Sequence, residues 1–126
     1  MERVTILQTT ETVRLDHERL RELHERLGPS GAEDVVCRAM EELASRLAQI
    51  DRDYRAGHRA EMRKGARALA AIADQIGMST LARVGRDVTR CVDMGDHVAL
   101  TAVLARLFRS GERSLTEVWD MQGLSV

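Results

Sequence analysis

The sequence has few residues that break helices and few that make large rigid cores. Its 126 residues include one proline, Pro29, two cysteines and three aromatics, Tyr54, Phe108 and Trp119. Alanine, leucine, arginine and glutamate dominate instead, and these residues have high helix propensity. The core must therefore be built from Leu, Ile, Val, Met and Ala. A chain of this size buries roughly two-thirds of its unfolded surface, so it needs no disulfide or metal to fold.

The chain also lacks long apolar runs and any strong excess of one charge. No stretch approaches the ~20 apolar residues that a membrane span requires, and the N-terminus has no basic segment followed by an apolar one. The formal net charge is -1, with acids and bases interspersed, which argues against binding to nucleic acid or to a membrane surface. Cys37 and Cys91 have no partner at CxxC spacing, so we expect two buried, reduced thiols in a cytoplasmic protein.

Motifs for metal, nucleotide or hydrolytic chemistry are missing as well. There is no HExxH, no Glu-x-x-His pair and no glycine-rich phosphate loop. Four histidines, none with a neighbour at metal-ligand spacing, are predicted to be exposed: His17, His24, His58 and His97. Asp51 and Asp53 lie beside arginines near a helix end and are predicted to form a solvated charged turn. We therefore expect no catalytic residue, no metal and no cofactor.

Apolar residues at helical spacing, separated by capping and stop signals, predict five helices. Asp16 caps the first, and Gly28-Pro29 ends it. Ser30 with Glu33 starts a long second helix, which Gly57 ends. The third runs from about Arg59 to Ile76 before Gly77, the fourth starts at Ser79 or Thr80, and Gly95-Asp96 separates it from the fifth.

Each predicted helix carries an apolar stripe that should face a common core. The five stripes are Leu20, Leu23 and Leu27; Val36, Met40, Leu43, Leu47, Ile50 and Tyr54; Met62, Ala66, Leu69, Ala73 and Ile76; Leu81, Val84, Val88 and Cys91 or Val92; and Leu100, Leu104, Leu107, Phe108, Leu115 and Trp119. The connections between the last four helices are short, which favours antiparallel neighbours. The sequence thus predicts an all-α fold, an antiparallel up-down-up-down four-helix bundle with a short extra N-terminal helix. Residues 1–126 form one domain, with 1–14 as an extended or frayed arm.

The third predicted helix carries an unusual charged flank. Arg59, Arg63 and Arg67 recur every four residues, and Ala70 and Asp74 continue the same flank. Lys64 and Ala71 lie beside it. Arginines next to small alanines would let another protein approach closely, so these seven residues form the candidate partner-binding face.

The same helix resembles that of the histidine phosphotransfer (HPt) domain, the relay module of bacterial two-component signalling. That family has an exposed histidine in a pattern like Ala-His-x-Leu-Lys-Gly, followed by an apolar-Gly pair and then by Leu-Ala. This chain has Ala66-Arg67-Ala68-Leu69-Ala70-Ala71, then Ile76-Gly77, then Leu81-Ala82, at matching spacings. The match extends to Gly57, Gly95-Asp96 and Val13-Arg14-Leu15-Asp16. The resemblance spans roughly residues 13–119 and implies a four-helix bundle with a short leading helix.

The departures from the family pattern concern the chemistry. Arg67 stands at the position of the phospho-accepting histidine, Ala70 at that of the lysine and Ala71 at that of the glycine. A second register, with Lys64-Gly65 on the family's Lys-Gly, puts Glu61 at the acceptor position and Ile72 where the family's helix-ending glycine belongs, so it fits less well. A guanidinium stays protonated at physiological pH and has no lone pair to accept a phosphoryl group.

The resemblance therefore implies a degenerate member, which binds receiver domains or sensor kinases without relaying phosphate and is not an enzyme. One alternative is an active phosphotransfer protein that uses another histidine, most plausibly His58. Another is an unrelated helical bundle that serves as an interaction or dimerisation module. The sequence does not assign the pathway, the individual partner or the oligomeric state.

Overall fold

The protein was examined as a computed structural model, which describes residues 15–121; the predicted arm, 1–14, lies outside this range. Every regular element from residue 15 to residue 121 is an α-helix, which confirms the all-α prediction. The helices are α1 (His17–Ala56), α2 (Arg59–Gln75), α3 (Ser79–Met94) and α4 (His97–Met121). None of these helices is long and apolar enough to cross a membrane.

α1 combines the first two predicted helices and is interrupted between them. Gly28 has φ 77° and ψ 168°, which is not helical, and Pro29 follows it. A left-handed φ is easily adopted by glycine because it has no Cβ, so the break falls where Gly28-Pro29 predicts it. The predicted cap at Asp16 is also confirmed, since its Oδ1 accepts a hydrogen bond from the Arg19 backbone N–H at 3.2 Å.

The predicted boundaries of the later helices are confirmed by their end geometry. Gly57 and Gly95 end α1 and α3 in left-handed conformations, with φ of 77° and 67°. Gly77 in the turn between α2 and α3 has φ 78°. The Asp96 carboxylate accepts a hydrogen bond from the Ala99 N–H at 3.0 Å and so caps the start of α4.

Most of the predicted apolar stripes are buried in one core. Two of their residues are exposed instead: Leu27 to 44% and Trp119 to 42%. Leu27 directly precedes the break at Gly28 and Trp119 lies in the last turns of α4, so each is at the end of a helical segment. Cys37 and Cys91 are half-buried free thiols, not buried ones as expected. Burial is the main reason that the pKa of the Cys91 thiol is raised.

Glycines inside the helices permit close contacts between neighbours. A Cβ at Gly65 would lie 3.1 Å from Ile50 Cγ1 of α1, and one at Gly111 would lie 2.6 Å from Leu47 Cδ1. Consecutive helices pack against each other, and α4 also returns to α1. There the Tyr54 hydroxyl and Thr101 Oγ1 lie 3.1 Å apart in a hydrogen bond.

The turn between α2 and α3 is tied to the start of α1. The Asp16 N–H donates a hydrogen bond to the Gly77 carbonyl at 2.6 Å. A Cβ at Gly77 would lie 2.6 Å from the Asp16 carbonyl oxygen, closer than real Cβ contacts allow. Gly77 is thus required both for its left-handed φ and for this backbone contact.

We predict that Gly77→Ala destabilises the protein more than Gly57→Ala. Both glycines have the same left-handed φ, so alanine costs about 1–2 kcal/mol at either position. Only Gly77 has a neighbouring backbone in the way, since nothing lies within 4 Å of a Cβ at Gly57; the clash should add about 1–3 kcal/mol. Denaturant unfolding of both variants measures the difference, and equal losses would contradict the contact with Asp16.

α4 buries two hydroxyl groups that have no hydrogen-bond partner among residues 15–121. Ser110 and Ser114 are both 0% exposed, and the Oγ atoms of both are unpaired. A buried donor left unsatisfied costs about 1–3 kcal/mol. The two serines are therefore weak points in an otherwise apolar interface.

We predict that Ser114→Ala or Ser110→Ala stabilises the protein by about 1 kcal/mol beyond the effect of helix propensity. Ser45→Ala, at an exposed position of α1, is the matched control because it gains only the propensity difference of about 0.5 kcal/mol. Thermal melts of the three variants give the comparison. A gain at Ser45 equal to that at Ser114 would show that the buried hydroxyls carry no penalty.

Candidate interaction site on α2

The apolar stripe of α2 is placed as the sequence predicts. Met62, Ala66, Leu69, Ala73 and Ile76 are all fully buried. Their positions fix the rotation of the helix, because residues at this spacing share one face. The arginine flank consequently lies beside the core face, on the side that borders α3.

Three members of the predicted flank contact neighbouring helices. Arg59 Nη1 lies 3.0 Å from His97 Nδ1 at the start of α4, and its guanidinium lies 6.0 Å from the centre of the Tyr54 ring. Arg63 forms a two-pronged ion pair with Asp93 of α3, at 2.6 and 2.9 Å. Asp74 pairs with Arg86 of α3. The flank is therefore a seam between helices as well as a surface.

The Arg63–Asp93 pair shapes the electrostatics of this seam. The hydrogen bond from Arg63 lowers the pKa of the Asp93 carboxyl, and the same hydrogen bond raises the pKa of Arg63. Side-chain exposure of 33% and 52% means that solvent screens the pair, so it contributes little to stability. Its two parallel hydrogen bonds still fix the positions of both side chains.

Arg67 differs from the other arginines of the flank. It is exposed and has no hydrogen-bond or ion-pair partner among residues 15–121. Nearby, Lys64 is exposed and lies 3.9 Å from Glu61, and Ala71 is exposed as predicted. Arg67 is thus the member of the seam whose charge is left available to a partner.

Ala70 is a correction to the predicted face. It is 3% exposed and belongs to the core. A Cβ at Gly85 would lie 3.3 Å from Ala70 Cβ and 3.2 Å from the Ala66 carbonyl oxygen, so α3 packs directly on this position. The apolar stripe of α2 predicts a narrower buried arc than two neighbouring helices produce. A glycine inside the fourth predicted helix was the available signal, since it often marks a close approach.

Asp53 is a second correction, because it is buried and not part of a solvated turn. It is 8% exposed and accepts a hydrogen bond from Gln49 Nε2 at 3.2 Å. Asp51, in contrast, pairs with Arg55 in the surface turn. A shallow cleft of about 260 Å³ opens between α1 and α2, lined by Arg46, Gln49, Asp53, Glu61 and Gly65.

The histidines lie apart on the surface. His58 has a side chain that is 62% exposed, with Nδ1 3.6 Å from Asp53 Oδ1, and the His58 N–H donates to the Asp53 carbonyl at 2.8 Å. His17, His24 and His97 are exposed. Residues 15–121 contain no group of three or more side chains that could hold a metal ion.

Charge is distributed unevenly over the helices. Residues 59–94, which span α2 and α3, carry seven cationic and four anionic side chains, a net charge of +3 in a chain of net charge -1. The near-neutral total hides this local excess, which the sequence alone left unassigned. An acidic partner would therefore be attracted to the α2–α3 side.

Comparisons with known proteins gave no match: no protein-family model fits the chain, and no curated protein or solved structure is significantly similar to it.

We predict that Ala70→Lys destabilises the fold and that Ala71→Lys does not. A lysine at position 70 must either bury its ammonium group against Gly85 or push α3 away, at a cost of about 1–3 kcal/mol or more. Position 71 is exposed, so its change should stay within about 0.5 kcal/mol. Denaturant unfolding of the two variants tests this. A tolerated lysine at position 70 would contradict the packing of Ala70 on Gly85.

Proposed function

We propose that this protein is an HPt-like signalling protein of a bacterial two-component phosphorelay, which binds receiver domains or sensor kinases without accepting phosphate. The observation that carries the proposal is the state of Arg67. It is exposed and unpaired within the described range, at the position where the resemblance expects the phospho-accepting histidine. A permanently charged guanidinium binds acidic groups and cannot act as a nucleophile. The proposal therefore assigns binding and no catalysis.

The proposal includes an antiparallel up-down-up-down bundle with a short leading helix. Contacts between α1 and α4 support it: Tyr54 meets Thr101, whereas Leu47, two turns earlier, lies next to position 111. Along one helix the contacts advance while along the other they recede, as in antiparallel packing. The helical segment before Gly28 supplies the leading helix.

Complementary charge is the physical basis for the proposed partner. Receiver domains present an acidic pocket around their phospho-acceptor aspartate, and the net charge of +3 on residues 59–94 would steer such a surface towards Arg67. Ala71 next to it is small and exposed, which leaves room for a partner's backbone. The proposal places the protein in the cytoplasm and involves no nucleic acid.

His58 supports a second candidate, an active phosphotransfer protein. Its ring is exposed and its Nδ1 lies 3.6 Å from Asp53 Oδ1. A buried carboxylate at that distance would orient the imidazole and leave Nε2 towards solvent. Incubation with a phosphorylated receiver separates the two candidates, because only the second predicts an acid-labile label that His58→Gln removes.

We predict that Arg67→Glu weakens binding to a cognate receiver domain by at least about tenfold, because like charges placed together cost several kcal/mol. Arg38→Glu is the matched control. Arg38 is also exposed and unpaired within residues 15–121, but it lies on α1. Titrations by calorimetry against a panel of receivers, at low and high salt, provide the measurement.

The wild-type affinity should fall as salt rises, since exposed charges are screened beyond about 8–10 Å at physiological ionic strength. Equal losses for the two reversals would mean that only total charge matters. Unchanged binding in Arg67→Glu would show that this face is merely solvated.

A further inference from the structure

The centre of the α2–α3 seam brings together two arginines with little compensation. The ion pairs Arg63–Asp93 and Asp74–Arg86 join the two helices on either side. Arg67 lies between Arg63 and Asp74 on α2. Arg90 lies between Arg86 and Asp93 on α3. The two bridges therefore set the register that places both arginines in the same interval.

The closest contact of the seam allows their heights to be compared. Ala70 and Gly85 touch there. At 1.5 Å per residue, Arg67 lies about 4.5 Å and Arg90 about 7.5 Å from that contact, both towards the Arg63–Asp93 end. A difference of about 3 Å is within the reach of two flexible arginine side chains. Their guanidinium groups can therefore meet at one point above the seam.

The charges of these two arginines are the least neutralised in the seam. Arg67 has no partner among residues 15–121. Arg90 contacts Asp87, three residues earlier on its own helix, at 3.2 Å with its side chain 68% exposed, and such surface pairs are weak. Arg63 and Arg86, by contrast, pair with carboxylates across the seam. Two neighbouring cations without an anion between them repel each other, and a bound anion would relieve that repulsion.

We propose that Arg67 and Arg90 form a binding site for a doubly charged oxyanion, which is phosphate or a phosphoryl group carried by a protein. Each guanidinium presents a planar fork of N–H donors that matches two oxygens of such a group. The site binds the anion and makes no covalent bond. It depends on the proposed function only for the source of the phosphoryl group, which would then be a phosphorylated receiver whose state the protein reads.

Inorganic phosphate is the probe for the site itself. Titration into ¹⁵N-labelled full-length protein, followed through the arginine side-chain N–H signals, should shift Arg67 and Arg90 together with one saturation curve. Arg67→Ala and Arg90→Ala should each weaken phosphate binding by about tenfold, because a hydrogen bond to a charged group contributes about 1.5–3 kcal/mol. Both positions are exposed, so the variants should fold normally.

Arg38→Ala and chloride are the controls. Arg38→Ala should leave phosphate binding unchanged, and chloride at the same ionic strength should not reproduce the shifts. Equal weakening by Arg38→Ala, or shifts of Arg67 without Arg90, would overturn the two-arginine site.

The source of the phosphoryl group is tested with a receiver that binds the wild-type protein, with and without acetyl phosphate treatment. A phosphorylated receiver that binds about tenfold more tightly, with the preference lost in Arg90→Ala, would support a protein-borne group. Phosphate binding without such a preference would support the free anion as ligand. If no receiver binds at all, the proposed function fails while the phosphate titration still decides the site.

Discussion

The packing of α3 on α2 at Gly85 is the constraint on which the candidate site depends. Without a side chain at position 85, α3 lies directly against Ala70 and the Ala66 carbonyl. This contact removes Ala70 from the surface and brings Asp93 and Arg86 within reach of Arg63 and Asp74. The electrostatics of the seam thus follow from a packing contact, since ion pairs on exposed surfaces are too weak to impose it.

The seam uses most of its charge internally, and this determines what is left for a partner. Arg59 is engaged with His97 and Arg63 with Asp93, so the regular arginine ladder is not equally available along its length. Arg67 remains because the α3 residues at its height offer it no carboxylate. A partner would therefore meet one free cation supported by fixed neighbours, an arrangement that costs little ordering entropy on binding.

The start of α1 and the α2–α3 turn form a second dependent region. The hydrogen bond from Asp16 to Gly77 joins residues far apart in the chain, and Gly77 must be a glycine for both conformation and space. This bond holds the turn beyond the last residues of α2. It also explains why a helical segment separated by Gly28 still packs as part of the same core, through Leu20 and Leu23.

Local signals in the sequence determined the helices and their limits. Asp16, Gly57, Gly95 and Asp96 act within a few residues of their own position, so the caps and breaks could be predicted, as could the buried stripe from Met62 to Ile76. Arg67 was likewise predicted to be exposed. Only the tertiary structure decided the burial of Ala70 and Asp53 and the pairing of Arg63 with Asp93. These features depend on which residue of another helix lies opposite, and helical periodicity specifies a face but not the neighbour that covers it.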